Sequence, residues 1–362
     1  MDLCPLRVDN RVMTTRVLVI VAVLVAGVEL GAQRSPQVLA PVGVLVGIHT
    51  PGDHDSVSAR PVPSSVRTIW LDTDRTATPV LPRLLVPRSS GFWWLGMIST
   101  CSEQPREGLD DTVIGVEVEI SEVVWSSPTG VRPIPEVPDE WNCRSAEVSC
   151  YTHYGTDIYW VWPDFISMSS VSESGCGAHP DATYVPEVHQ LNDLDAPLTI
   201  GAVFGRSAEA RVHRAYERAK REYRSRHREH CDDPNVFSPS AWHIERRAGR
   251  WLLEGWADTH RLCEGGIDYS ADVDFSRITG SGVRERPVSR RVSGVKDAIA
   301  SADGRWILLI GEDEVALSPR EAPNKPIATA PLSVGDSVVM AEWAVGSSVA
   351  RWREQVRKLA TP

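Results

Sequence analysis

From Ile114 to Ser121 the chain alternates without a break. Ile114, Val116, Val118 and Ile120 take the even positions; Gly115, Glu117, Glu119 and Ser121 take the odd ones. A repeat of two is the repeat of a strand, whose successive side chains leave on opposite faces. Acids confined to one side predict an antiparallel strand covered on a single face. Val42 to Ile48 and Phe92 to Ser99 are further short runs rich in β-branched and aromatic residues. Trp242 to Trp256 reads as a hairpin turning near Ala248-Gly249, with Trp251 and Leu253 in phase. Trp306–Ile310, Glu314–Leu317, Ile327–Ala330 and Ser337–Ala341 read as four strands of a meander.

Two segments break this pattern. Residues 207–229 are charged, lack Gly and Pro, and begin with Ser207, a capping residue. Val212, Tyr216, Ala219 and Tyr223 form a narrow apolar stripe there, which predicts one long surface helix. Val345, Val349, Trp352, Val356 and Leu359 repeat the spacing, so residues 348–360 should close the chain as a helix. Strands in runs with occasional helices mean an α+β fold, mainly antiparallel sheet. Pro128, Pro133, Pro135 and Pro138 exclude a central strand over 126–140 and mark a loop or seam. The expected division is an N-terminal β-rich lobe (34–135), an α+β domain (140–265), and a C-terminal meander with its helix (290–362).

Ahead of these lies a basic lead. Arg11 and Arg16 precede the apolar run Val17 to Val28, which relaxes through Glu29, Leu30, Gly31 and Ala32 into Gln33, Arg34 and Ser35. This order describes a signal peptide over residues 1–33. The run is shorter than the roughly 20 apolar residues of a spanning helix. The expectation is a secreted protein, periplasmic or extracellular, with no membrane attachment after cleavage; retention as an anchor is the other outcome. Six cysteines follow: Cys101, Cys143, Cys150, Cys176, Cys231 and Cys263. An even number in an exported chain is what disulfides require. Cys143 with Cys150 would close a short loop, and Cys231 with Cys263 would tie the open end of the hairpin. Cys101 is then left with Cys176. Spacing alone does not choose among the pairings, and buried thiols are the alternative.

The formal net charge is −10, which argues against nucleic acid as a partner, since phosphate binding needs a basic footprint. Acids concentrate over 103–122, where Glu103, Glu107, Asp110, Asp111, Glu117, Glu119 and Glu122 face Arg106 alone. A cationic partner could dock there, with Asp110, Asp111, Glu117 and Glu119 as binding candidates; a solvated sheet face is the plainer reading. No phosphate-binding loop and no nucleophile elbow occurs in the sequence. His49, Asp53, His54 and Asp55, and again His227, His230, Cys231, Asp232 and Asp233, have ligand-like spacing. They read as surface residues and a helix end, so no metal, cofactor or catalytic residue is assigned. Ala300 to Trp306 contains Asp303-Gly304, an Asp-Gly turn entering a strand. Most of the 13 tryptophans fall at strand-phase positions and read as core.

One stretch carries a resemblance. From Asp164 the chain runs Phe165-Ile166-Ser167-Met168, then Gly175-Cys176-Gly177-Ala178-His179-Pro180. Leu191-Asn192-Asp193-Leu194 and Leu198 to Phe204 follow, and then the long helix. This order resembles the exported domain of lysozyme-responsive bacterial anti-sigma factors and of related secreted bacterial proteins. Cys176 stands where that family has Gly, and Asp195-Ala196-Pro197 replaces its Gly-Lys turn. The segment before Val17 is too short for a sigma-binding domain. The resemblance implies an α+β ectodomain-like fold and protein binding, with His179 as the polar candidate in its Gly-Ala-His stretch. The expected function is that of a secreted cell-envelope protein acting as a non-catalytic binding or inhibitor-like module. Its expected partner is a cationic envelope protein such as a muramidase; the alternative is a hydrolase of envelope polymers.

Overall fold

The computed structural model describes residues 40–52, 62–74, 79–107, 114–130, 148–175, 181–226, 237–247, 249–258, 266–275, 278 and 292–360. The signal-peptide segment lies outside them. Among the described residues no helix is long and apolar enough to cross a membrane. Residues Pro41–Pro362 form one compact unit.

The strands are β1 (Val42–Thr50), β2 (Ser65–Asp72), β3 (Val80–Leu81), β4 (Leu84–Arg88), β5 (Gly91–Glu107), β6 (Ile114–Pro128), β7 (Val148–Val161), β8 (Phe165–Gly175), β9 (Asp181–Gln190) and β10 (Asp193–Pro197). Helices α1 (Ile200–Phe204) and α2 (Arg206–Arg226) follow. Then come β11 (Trp242–Arg247), β12 (Arg250–Asp258), β13 (Gly266–Ala271), β14 (Asp297–Ala300), β15 (Trp306–Ile310), β16 (Glu314–Pro319), β17 (Ala328–Pro331) and β18 (Ser337–Val345), closed by α3 (Ser347–Ala360). They make sheets of order β18-β1-β2-β3, β10-β9-β8-β7-β6-β5-β4, β11-β12-β13 and β14-β15-β16-β17. The fold is α+β and sheet-rich, and every ladder is antiparallel except β6–β7.

β1 is buried from Val42 to His49. It pairs with β2 on one side and β18 on the other. The core gathers between two sheets: Leu45, Trp70 and Met340 of this one meet Leu84, Leu85, Ile158, Val161 and Ile166 of the seven-stranded sheet. α3 covers the junction with Val349 and Val356, and Trp352 packs edge-on against Phe92 at 5.5 Å. Arg353 of α3 fixes the helix to the sheet, its Nε donating to the buried Asp72 at 2.6 Å, while Trp70 Nε1 donates to the same carboxylate oxygen.

Several expectations are met closely. The hairpin turns between Arg247 and Arg250, which stand opposite each other, with Gly249 at φ 79°. The Asp-Gly turn is built by Ser301 Oγ donating to Asp303 at 2.6 Å and by Gly304 at φ 68°. Others shift. The long helix begins at Arg206, one residue before Ser207, so Ser207 is not its cap; Gly205 at φ 86° separates it from α1, whose own cap is Thr199, accepting from Ala202 N. The expected C-terminal meander keeps three of its four strands. β18 leaves it for β1, and β14 joins at the opposite edge, beside β15. Asp336, at the head of β18, explains the departure, since it binds Arg67 of β2 and accepts from Thr50 Oγ1 at 2.6 Å. Ladders β1–β18 and β6–β7 therefore cross the boundaries expected between lobes. β6 runs on through Pro128, which pairs with Trp93, so 126–128 are strand and not the expected loop; Pro133, Pro135 and Pro138 lie outside the described residues.

Glu342 sits in the inward row of β18, between the buried Met340 and Ala344 and opposite Leu45. Burial pushes its carboxyl up to about 8. A carboxyl raised in the folded state contributes full stability below its unfolded value, and that stability is lost as pH rises through the folded value. The window here runs from about 4.5 to about 8. Part of the side chain still meets solvent, so the expected gain for Glu342→Gln at pH 8 is discounted to about 2 kcal/mol. Thermal melts should show the variant several degrees above wild type at pH 8 and level with it at pH 4. A gain of equal size at both pH values would contradict this account.

Candidate functional site

The β11–β12 hairpin places a polar cluster on one of its faces. In the register, His243 stands opposite Glu254, and Glu245 and Arg247 follow at steps of two on the same face. The other face, Trp242, Ile244 and Leu253, is buried and holds the hairpin in place. Ile244 N donates to Ser167 Oγ of β8 at 2.7 Å. Trp251 packs edge-on against Trp160 at 4.9 Å. Arg246 bridges from β11 to β14, its Nε 2.9 Å from Asp297 and its guanidinium 5.0 Å over Trp251.

The ligand-type atoms of His243, Glu245 and Glu254 all lie within 4.8 Å of one another. Arg247 neutralises the pair of acids: it contacts Glu245 directly and lies 3.5 Å from Glu254. The imidazole of His243 is 3.9 Å from Glu254 and stacks on Tyr159 of β7 at 4.2 Å. Tyr159 in turn donates to Ser169 Oγ at 3.2 Å. Burial, then the positive charge of Arg247, lowers His243 to about 4, so the ring is neutral at pH 7. Burial, then the neighbouring Glu254, raises Glu245, and burial raises the Tyr159 hydroxyl.

A neutral imidazole beside a carboxyl held toward its protonated form supplies elements of acid–base chemistry. The same three donors suit a divalent cation, which would have to displace Arg247. The exposed side chain of Arg247, 63% accessible, leaves it room to swing away.

A second polar node lies deeper. Glu122 of β6 is buried and accepts from Ser64 N at 2.8 Å and Ser64 Oγ at 2.9 Å. His153 of β7 is 3.6 Å away, seated over Gly155, where a Cβ would strike its ring. His49 of β1 is buried nearby. Burial lowers its pKa, against the opposing influence of Asp157, Glu122 and Asp336. This node cross-links the two largest sheets, and its enclosure keeps it from substrate.

The expected site residues are scattered. The β5–β6 register sets positions 117 and 119 on one face of the ladder, with Ser102 and Gln104 beside them, and Glu103 on the other. Glu103 and Glu119 are exposed, and Glu122 is inward, so the acidic stretch does not make one face. Asp110, Asp111, His179 and the loop or helix-end groups Asp53, His54, Asp55, His227, His230, Cys231, Asp232 and Asp233 lie outside the described residues. His49 belongs to a buried strand and not to a loop. Of the cysteines, Cys101 and Cys150 are described; β6 runs between their strands and their register positions are three residues apart. That exceeds the reach of a disulfide, so each would need a partner elsewhere. The hairpin cluster is the group that sequence reading missed, although the hairpin turn was legible and pairs 243 with 254 by counting outward from it.

No family model matches the chain, and no curated protein sequence matches it.

The depressed His243 fixes a pH dependence. Unfolded, the ring binds a proton near 6.5; folded, only near 4. Its contribution to stability is present above about 6.5 and is lost as pH falls toward 4, up to about 3 kcal/mol. Glu245, Glu254 and Arg247 share the face, so the informative measurement is a difference between proteins. Denaturant unfolding from pH 7 to 4 should show wild type losing stability faster than His243→Phe, which keeps the ring stack and cannot titrate. Parallel curves would mean that the ring is protonated in the folded state.

Proposed function

We propose that this is a secreted cell-envelope protein that acts as a non-catalytic binding or inhibitor-like module, with a cationic envelope protein such as a muramidase as its partner. The observation that carries the reading is the outer edge of β5. β4 pairs with β5 only from Gly91 to Leu95, and from Gly96 to Glu107 no other described strand pairs with that edge. An edge left unpaired by the described strands over this length suits an added strand, and acids around it favour a cationic one. Glu103 and Glu119 are exposed there, and Asp110 and Asp111 belong to the connection between β5 and β6. Exposed charges of this kind act mainly on the rate of association and are screened by salt.

In a pull-down with a muramidase at low and physiological salt, wild type should be captured at low salt and lost as salt rises. The variant Asp110→Asn, Asp111→Asn, Glu117→Gln, Glu119→Gln should associate at least about ten-fold more slowly. Unchanged capture of this variant would remove the acids from the interface. A hydrolase of envelope polymers is the second reading, supported by Glu245 and Glu254 beside a neutral His243. It requires release of soluble fragments from purified cell wall by wild type and their loss in Glu245→Gln.

Export and disulfide formation belong to the same proposal. Native protein should begin within a few residues of Gln33. Thiol labelling of the denatured, unreduced chain should find none of the six mature cysteines free. Two or more labelled thiols, or an amino terminus at Met1, would contradict it.

A further inference from the structure

α2 is a strongly basic element in an acidic protein. Arg206, Arg211, Arg214, Arg218, Lys220, Arg221, Arg224 and Arg226 stand against Glu209, Glu217 and Glu222, in a chain of net charge −10. Val212, Ala215 and Tyr216 form its buried face. At 100° per residue, Arg206, Arg214, Arg218 and Arg221 rise on the opposite face, and all four are exposed. None of the four is paired with a carboxylate among the described residues. Like charges at spacings of three and four oppose helix formation. One acid, Glu217, stands on this face between Arg214 and Arg221 and forms no ion pair among the described residues, whereas on the flank Glu222 lies 3.9 Å from Arg226.

The stripe leads into a recess. Beside the first turns of α2 an open cleft of about 540 Å³ is lined by Arg206, Glu209, His213, Arg214, Phe237 and Pro239. His213 packs edge-on against Phe237 at 4.9 Å. Arginines in a row beside a cleft with an aromatic wall suit a chain of single negative charges, one unit of which can turn inward. Guanidinium forks match phosphate oxygens. Arg214, Arg218 and Arg221 rise about 6 Å and then about 4.5 Å along the axis, the scale of one repeat of a short polyol phosphate. A flat bilayer could not enter the recess, and the stripe offers no apolar residue to insert into one. A nucleic-acid strand carries the same single charges with bases between them, and is the competing occupant that the oligonucleotide arm of the test separates.

We propose that the arginine face of α2 and the cleft at its start form a docking surface for a linear polyol-phosphate polymer. Phosphodiesters lie on Arg214, Arg218 and Arg221, and one repeat enters beside Phe237. The surface is separate from the open edge of β5, so each can fail without the other.

The test uses the full chain and synthetic polyglycerol phosphate, titrated between about 50 and 200 mM salt. Wild type should bind with a steep salt dependence. Arg214→Gln, Arg218→Gln, Arg221→Gln together should lower the slope of log K against log salt by about 2 and weaken binding at least about ten-fold at the lowest salt, as loss of three phosphate contacts requires. Phe237→Ala should weaken binding with the slope unchanged. The four acid-to-amide changes near β5 should leave polymer binding intact. Circular dichroism confirms that each variant is folded. No polymer binding at low salt, or an unchanged slope in the triple variant, overturns the proposal. So does binding confined to phosphatidylglycerol vesicles, tighter binding of a single-stranded oligonucleotide, or salt-sensitive self-association that the triple variant abolishes without polymer present.

Discussion

The backbone of β1 sets the terms for everything around it. Val42, Val44, Leu45, Val46 and Ile48 are without solvent contact, so the amides and carbonyls between them cannot be hydrated. Each unpaired buried group would cost on the order of 1–3 kcal/mol, and only two strands are available to satisfy them. β2 follows in the chain and β18 comes from its far end. Closing that sheet fixes where α3 starts, brings Arg353 to Asp72, and draws Asp336 to Arg67. It also brings the buried His49 of β1 near the Glu122–His153 pair of the seven-stranded sheet.

Local patterns in the sequence predict local structure well here. The hairpin at Gly249, the turn at Asp303-Gly304, α2 and α3 depend on residues within a turn or two of one another, so spacing and capping chemistry carry them. Long-range pairings are a different matter. Nothing within Ser337–Val345 distinguishes a meander strand from a partner of β1; the choice is made by Asp336 meeting Arg67 across 269 residues. Glu122 is the instructive case at the level of sites. It continues the even-numbered row of Ile114, Val116, Val118 and Ile120, so parity assigns it to the covered face, whereas composition groups it with the acids of the stretch. In the fold, parity decides.

Charge shows the same tension between sum and arrangement. A net charge of −10 describes a field at a distance. It says little about α2, whose cations are concentrated by a 3.6-residue repeat onto one side of one helix. The cluster at His243 is also an arrangement. Its members lie 11 residues apart in the chain and meet because a two-residue turn folds β11 onto β12.

The pairing of β1 with β18 has a consequence for how the chain is made. Synthesis delivers β1 well before β18, so Val42 to Ile48 must wait for its second partner while nearly 300 residues are added, as the Thr50–Asp336 separation of 286 indicates. Until then one edge of a short, uncharged, β-branched strand is open, the kind of segment that pairs with its equivalent in a neighbouring molecule. Ribosome-bound intermediates halted before Ser337 should therefore be the aggregation-prone species. The yield of soluble protein would then be governed by the speed with which β18 and α3 arrive and dock, and less by the stability of the finished fold.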